Sequence, residues 1–200
     1  ASPREGGILL AFIFPGQGSQ RPGMGQPWRE HESFDIVHEA SEVAERDIAH
    51  LLLDATSEEL ERTEAAQLAT LVMSLVVLDA VERINITPSA CAGHSLGEYS
   101  ALVASGALGF EDGIRLVAQR AAAMQEAADD HPGTMAALLG ISDQDAELAC
   151  IRAEEDVWVA NFNSPGQVVI SGSVEGVEAA IAHARSLGCL LYTSPSPRDR

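Results

Sequence analysis

The sequence predicts an α/β fold in two parts, on three observations. A continuous apolar run, Ile8 to Phe14, stops at Pro15-Gly16, as a strand buried on both faces does. A Gly-x-Ser-x-Gly pattern, Gly93-His94-Ser95-Leu96-Gly97, lies between a short strand candidate and a helical stretch. Beyond residue 128 the periodicity changes to β-α-β-β-α, the start of a ferredoxin-like module that needs one more strand.

The elements follow in order. After the strand at 8–14 comes a Gly-rich loop, Gly16-Gln17-Gly18-Ser19-Gln20, then a polar helical stretch from about Phe34 to Leu53. Thr56-Ser57-Glu58-Glu59 has the composition of a helix start. Gln67 to Arg83 carries Leu68, Leu71, Val72, Leu75, Val76 and Leu78 on all sides, which predicts a core helix. Pro88 to Ala92 is a short strand, and a helix runs from Glu98 to about Ser105. Another opens at Glu111-Asp112, where acids suit the positive end of the dipole, and continues to about Ala128.

Asp129 to Gly133 is read as a linker. Thr134 to Ile141 is a strand, Ser142 the N-cap of a helix to about Ala153, and Val157 to Ala160 a second strand. Asn163-Ser164-Pro165-Gly166 is a turn, and Gln167 to Ser171 a third strand. Ser173 caps a last helix that Gly188 stops. The expected domains are therefore 1–128, a core bearing the serine, and 129–188, a small subdomain lacking its last strand. Residues 189–200, with Pro195, Pro197 and three charges, are expected to be a non-native or disordered tail.

Composition excludes several partners. The 200 residues hold 30 acids against 12 bases, a net charge of −18, so nothing can neutralise a run of phosphates or dock on an anionic membrane. Nucleic acid and membrane are excluded on that ground. Cys91, Cys150 and Cys189 are widely spaced and read as buried thiols in a reducing compartment, not as a metal site or disulfide frame. No signal peptide is visible, and the apolar stretch Leu68–Leu78 is too short to span a bilayer. The expectation is a soluble, cytoplasmic protein.

Three features carry chemistry. A serine on a sharp strand-to-helix turn needs glycine at the flanking positions, and the turn presents its hydroxyl beside amide N–H groups able to hold an oxyanion. The loop around Gln17 can bring a second main-chain N–H to the same oxygen; alone, it is equally a plain tight turn. Arg120 lies between Leu116 and Met124 on an otherwise apolar helical stripe. A guanidinium there calls for an anion, either a substrate carboxylate or one of the chain's own acids. Arg115, four residues after Glu111, is read as a solvated pair.

Taken in order, Phe14-Pro15-Gly16-Gln17-Gly18-Ser19-Gln20, Gly93-His94-Ser95-Leu96-Gly97-Glu98-Tyr99-Ser100, Gln119-Arg120 and the run from Asn161 to Gly172 resemble the malonyl-CoA:acyl carrier protein transacylases. More loosely, they resemble the acyltransferase domains of polyketide synthases. The resemblance covers about residues 8 to 188. It implies an α/β-hydrolase-like core, incomplete at its C-terminal end, with an inserted ferredoxin-like subdomain. It implies Ser95 as the acyl-accepting nucleophile, the main-chain N–H groups of Gln17 and Leu96 as the oxyanion hole, and Arg120 as the partner of the malonyl carboxylate. Met124 and His94 would line the substrate pocket. The implied partners are malonyl-CoA and acyl carrier protein, with no cofactor and no metal.

The family's general base, a histidine, is expected a little beyond position 200. His94 adjoins Ser95 on a tight turn and reads as a packing or orienting residue. His31, His38, His50, His131 and His183 read as surface positions. Two alternatives stand beside transfer of malonyl to the carrier's pantetheine thiol: a serine esterase or lipase, which the elbow alone cannot distinguish, and a piece that is catalytically incompetent as it stands.

Overall fold

The computed structural model describes residues 9–192; Ile8 and the tail at 193–200 lie outside them. Its class is α/β. Strand β1 (Ala11–Phe14) pairs in parallel with β2 (Ala90–Gly93), Ala11 opposite Ala90 and Phe14 opposite Gly93. A parallel pair needs a long crossover, and four helices supply it: α1 (Asp35–Ala44), α2 (Ile48–Leu53), α3 (Ser57–Glu61) and α4 (Thr63–Arg83). Helices α5 (Leu96–Ala104) and α6 (Phe110–Asp130) follow β2. The chain divides into two units between Glu126 and Ala127, and each has its own hydrophobic core.

Local signals explain most boundaries in the first unit. Thr56 and Glu59 form the full capping box of α3: Thr56 Oγ1 accepts from the Glu59 N–H at 3.2 Å, and Glu59 Oε2 accepts from the Thr56 N–H at 2.8 Å. The single helix expected over 34–53 is two. Glu45 adopts φ 52° and ends α1, and the Asp47 side chain caps α2. Helix α4 starts four residues earlier than the periodicity suggested and buries Leu68, Leu71, Val72, Leu75 and Val76. By length and hydropathy it could cross a membrane, but 61% of its most apolar window is buried inside the protein. That is the environment of a core helix.

Strand β1 corrects one expectation. Only Phe14 in it is buried, and Ile13 is 79% exposed. Burial on both faces requires a layer on each, and among the described residues β1 has β2 as its single strand neighbour. A cavity of about 520 Å³ lies along it, lined by Phe12, Phe14, Met24, Trp28, Met73 and Val77 among others. A smaller correction concerns the linker. Helix α6 continues through Asp129 and Asp130, and ends where Pro132 drives His131 out of helical geometry.

The second unit contains β3 (Thr134–Leu139), α7 (Asp143–Ala153), β4 (Val157–Ser164), β5 (Gln167–Gly172), α8 (Val174–Ser186) and β6 (Leu190–Tyr192). Its sheet runs β4-β5-β3-β6, with every neighbouring pair antiparallel. Ser142 and Ser173 cap their helices as their positions predict, and Gly188 turns the chain at φ 89°. The expectation that this module lacks its last strand is corrected. Leu190–Tyr192 supplies it, with Leu138 opposite Leu191, so β3 is an interior strand and the β-α-β-β-α-β order is complete. A Leu-Leu-Tyr run pairs well; the prolines that forbid a strand stand further on, at 195 and 197. The inner face buries Ala136, Leu138, Val168 and Ile170 against α7 and α8.

Candidate active site

The elbow is built by main-chain crowding. Ser95 is the N-cap of α5 at φ 52°, ψ −109°, a left-handed conformation that costs a non-glycine residue about 1–3 kcal/mol. A Cβ at Gly93 would collide with the main chain of Gly97 and Glu98, and one at Gly97 with the carbonyls of Phe14 and Pro15. The two flanking positions therefore admit glycine alone. Ser95 itself is exposed, and Leu96, buried beneath it, opens α5. The Leu96 N–H belongs to the first turn, where no carbonyl four residues back can accept it.

The Gly16–Gln20 loop lies directly against this turn. The His94 N–H donates to the Phe14 carbonyl at 3.3 Å, and a Cβ on Gly16 would stand 2.8 Å from the His94 carbonyl. His94 is exposed, with its ring nitrogen Nδ1 toward Gly16. Gln17 thus sits in a loop held to the elbow by main-chain contact.

Arg120 reaches the same place from α6. Its Nη2 donates to Ser95 Oγ at 3.2 Å, and its Nη1 donates to Gln67 Oε1 at 2.5 Å. The guanidinium carbon lies 5.6 Å from the centre of the Tyr99 ring on α5, within cation–π range. The stripe expected around Arg120 is only partly covered: Ile114, Val117 and Ala121 are buried, but Leu116 is 43% exposed. Arg115 pairs with Glu111 at 2.6 Å and with Asp112 at 3.5 Å on the surface.

Two residues here escaped the sequence reading. Gln67, wholly buried on α4, donates from Nε2 to Gln17 Oε1 at 3.4 Å and to Met124 Sδ at 3.3 Å. It therefore links Arg120, Gln17 and Met124. The signal was the lone carboxamide of a helix whose middle is mostly apolar and buried, since a buried polar group requires partners. Tyr99 stood beside the elbow without a role assigned. The predicted residues Ser95, Arg120, Gln17 and Met124 thus join in one network, with Leu96 and His94 flanking Ser95 in the chain.

The geometry is thus a serine on a glycine-flanked strand-to-helix turn, with a guanidinium against its hydroxyl, in an α/β fold. The acyl transferase domain family matches residues 11–191, and the chain belongs to that family. It is 43% identical over 184 residues to the malonyl CoA-acyl carrier protein transacylase of Bacillus subtilis strain 168, covering 90% of this chain and 58% of that protein. The crystal structure of the acyl-carrier-protein S-malonyltransferase of Burkholderia pseudomallei 1710b superimposes with a TM-score of 0.84 at 38% identity, over 95% of this chain and 64% of that one. A malonyl-transacylase solved with its type II polyketide acyl-carrier protein gives 0.84 at 37% identity. The chain thus spans about three-fifths of the length of the relatives it matches.

Proposed function

We propose that this chain carries the nucleophile and the acyl-selecting arginine of a malonyl transfer from malonyl-CoA to the pantetheine thiol of an acyl carrier protein. The observation that carries the reading is the 3.2 Å contact between Arg120 Nη2 and Ser95 Oγ. A carboxylate one carbon removed from a thioester carbonyl can meet the guanidinium while that carbonyl meets the hydroxyl.

In the proposed reaction Ser95 Oγ attacks the thioester carbon and its proton passes to a base. Arg120 cannot be that base, because a guanidinium stays protonated. The main-chain N–H groups of Gln17 and Leu96 receive the oxyanion. The carbon–sulfur bond then breaks, coenzyme A leaves as the thiol, and the malonyl group rests on Ser95 as an ester. The carrier's thiol reverses the sequence, forming a new thioester and returning the proton to Ser95. Water must be kept from the ester, or transfer becomes hydrolysis. A reducing, cytoplasmic setting goes with this reading, and in it the thiols of Cys91, Cys150 and Cys189 stay free.

The test is acylation of Ser95 by malonyl-CoA, read by peptide mass spectrometry. Ser95→Ala should abolish labelling, and labelling that persists there overturns the nucleophile. Arg120→Ala should reduce the preference for malonyl-CoA over acetyl-CoA by roughly ten- to a hundredfold, as loss of a charge-assisted contact of about 1.5–3 kcal/mol implies. An unchanged ratio removes Arg120 from the carboxylate role. Absence of labelling in the unaltered chain would favour the incomplete-piece reading.

A further inference from the structure

Gln67 is the most constrained polar side chain around Ser95. It has no exposed surface, and an unpartnered carboxamide buried on α4 would be costly. Arg120 can only donate, so the 2.5 Å contact fixes Oε1 on the arginine side and turns Nε2 toward Gln17 and Met124. One buried amide therefore sets the direction of the guanidinium, touches the side chain in the loop beside the elbow and contacts the half-buried thioether at 124.

Its neutrality is as informative as its geometry. A carboxylate of the same shape would accept the same hydrogen bond from Arg120 and form a buried ion pair, leaving the guanidinium's charge spent inside the protein. An apolar side chain would leave the charge intact and its direction unset. A carboxamide alone among side chains of this length holds the fork in place, leaves its charge uncompensated, and has an N–H for Gln17.

We propose that Gln67 is a positioning residue that sets acyl selectivity: it aims the Arg120 guanidinium beside Ser95 while keeping its positive charge for an anionic acyl group. The inference rests on the reading of Ser95 and Arg120 given above. Its consequence is that selectivity for a carboxylate-bearing acyl chain is set partly on α4, by a residue that touches Arg120 and not the serine.

The experiment compares the unaltered chain with Gln67→Glu, Gln67→Met and Arg120→Ala. Dissociation constants for malonyl-CoA and for acetyl-CoA are measured by titration calorimetry, and folding is checked by circular dichroism. Gln67→Glu should lower the malonyl-to-acetyl preference at least tenfold, approaching Arg120→Ala. Gln67→Met should lower it severalfold, and decides the matter should the buried carboxylate prevent folding. A packing role would weaken both ligands together and leave the ratio unchanged. A ratio within twofold of the unaltered chain in a folded Gln67 variant, while Arg120→Ala abolishes the preference, overturns the role of Gln67 alone. No preference in the unaltered chain overturns the Arg120 reading and this inference with it.

Discussion

Replacing Ser95 by glycine should make the first unit more stable than replacing it by alanine. Both variants lose the hydroxyl and its contact with Arg120, so that term cancels. What remains is the backbone at φ 52°. Alanine keeps a Cβ in a conformation that costs about 1–3 kcal/mol, and glycine adopts it without that penalty. Glycine also gives the unfolded chain more freedom, which offsets about 0.5–1 kcal/mol. The net advantage of Ser95→Gly is therefore between about 0 and 2.5 kcal/mol, with a midpoint of about 1 kcal/mol.

Trp28 and Trp158 are the only tryptophans, and they lie in different units. A Trp158→Phe background leaves Trp28 to report the first unit, and Trp158 is 63% exposed, so the change costs little. Urea unfolding followed by Trp28 fluorescence, with equal slopes for both variants, gives the difference directly. A glycine variant less stable than the alanine one would refute the claim that the elbow is strained.

Three further expectations concern the frame around the site. Gly97→Ala should destabilise the first unit by about 3 kcal/mol or more, beyond ordinary overpacking, because carbonyl groups and not flexible side chains stand in the way; urea midpoints check this. Ending the chain after Gly188 removes β6 and exposes the edge of β3, so light scattering should reveal aggregation that the longer chain does not show. Burial pushes the Cys150 and Cys189 thiols above their ordinary range. Raised thiols are charged less near neutrality, so both should react with a disulfide reagent slowly in the native state and rapidly in urea, with native reactivity rising as pH rises.

What the sequence disclosed was mostly local. Thr56, Ser142 and Ser173 cap helices through partners three residues away, and that spacing is visible in the letters. The glycines around Ser95 announce the turn for the same reason. The break at Glu45 was missed because a left-handed glutamate has no compositional mark. The exposure of Ile13 was missed because an apolar run reports what a strand tolerates, not which neighbours it has. Strand β6 depends on pairing with β3, about fifty residues away, and the prolines after it obscured a good strand sequence. Gln67 was hidden for a similar reason: its partners Gln17 and Arg120 stand 50 and 53 positions off. The letters placed an arginine on the helix that reaches Ser95, but not the buried amide that holds it.

The interlocking of Gly97 with the carbonyls of Phe14 and Pro15, and of Gly16 with His94, bears on how this region can change over generations. No single substitution at 93 or 97 can be absorbed by a rotamer adjustment, so mutational routes through these positions are closed unless the opposing main chain, Gly97–Glu98 for 93 and Phe14–Pro15 for 97, moves in the same step. Diversity in descendants of such a sequence should accumulate at exposed positions such as Leu116. The hinge of the chemistry would meanwhile be inherited as one indivisible block.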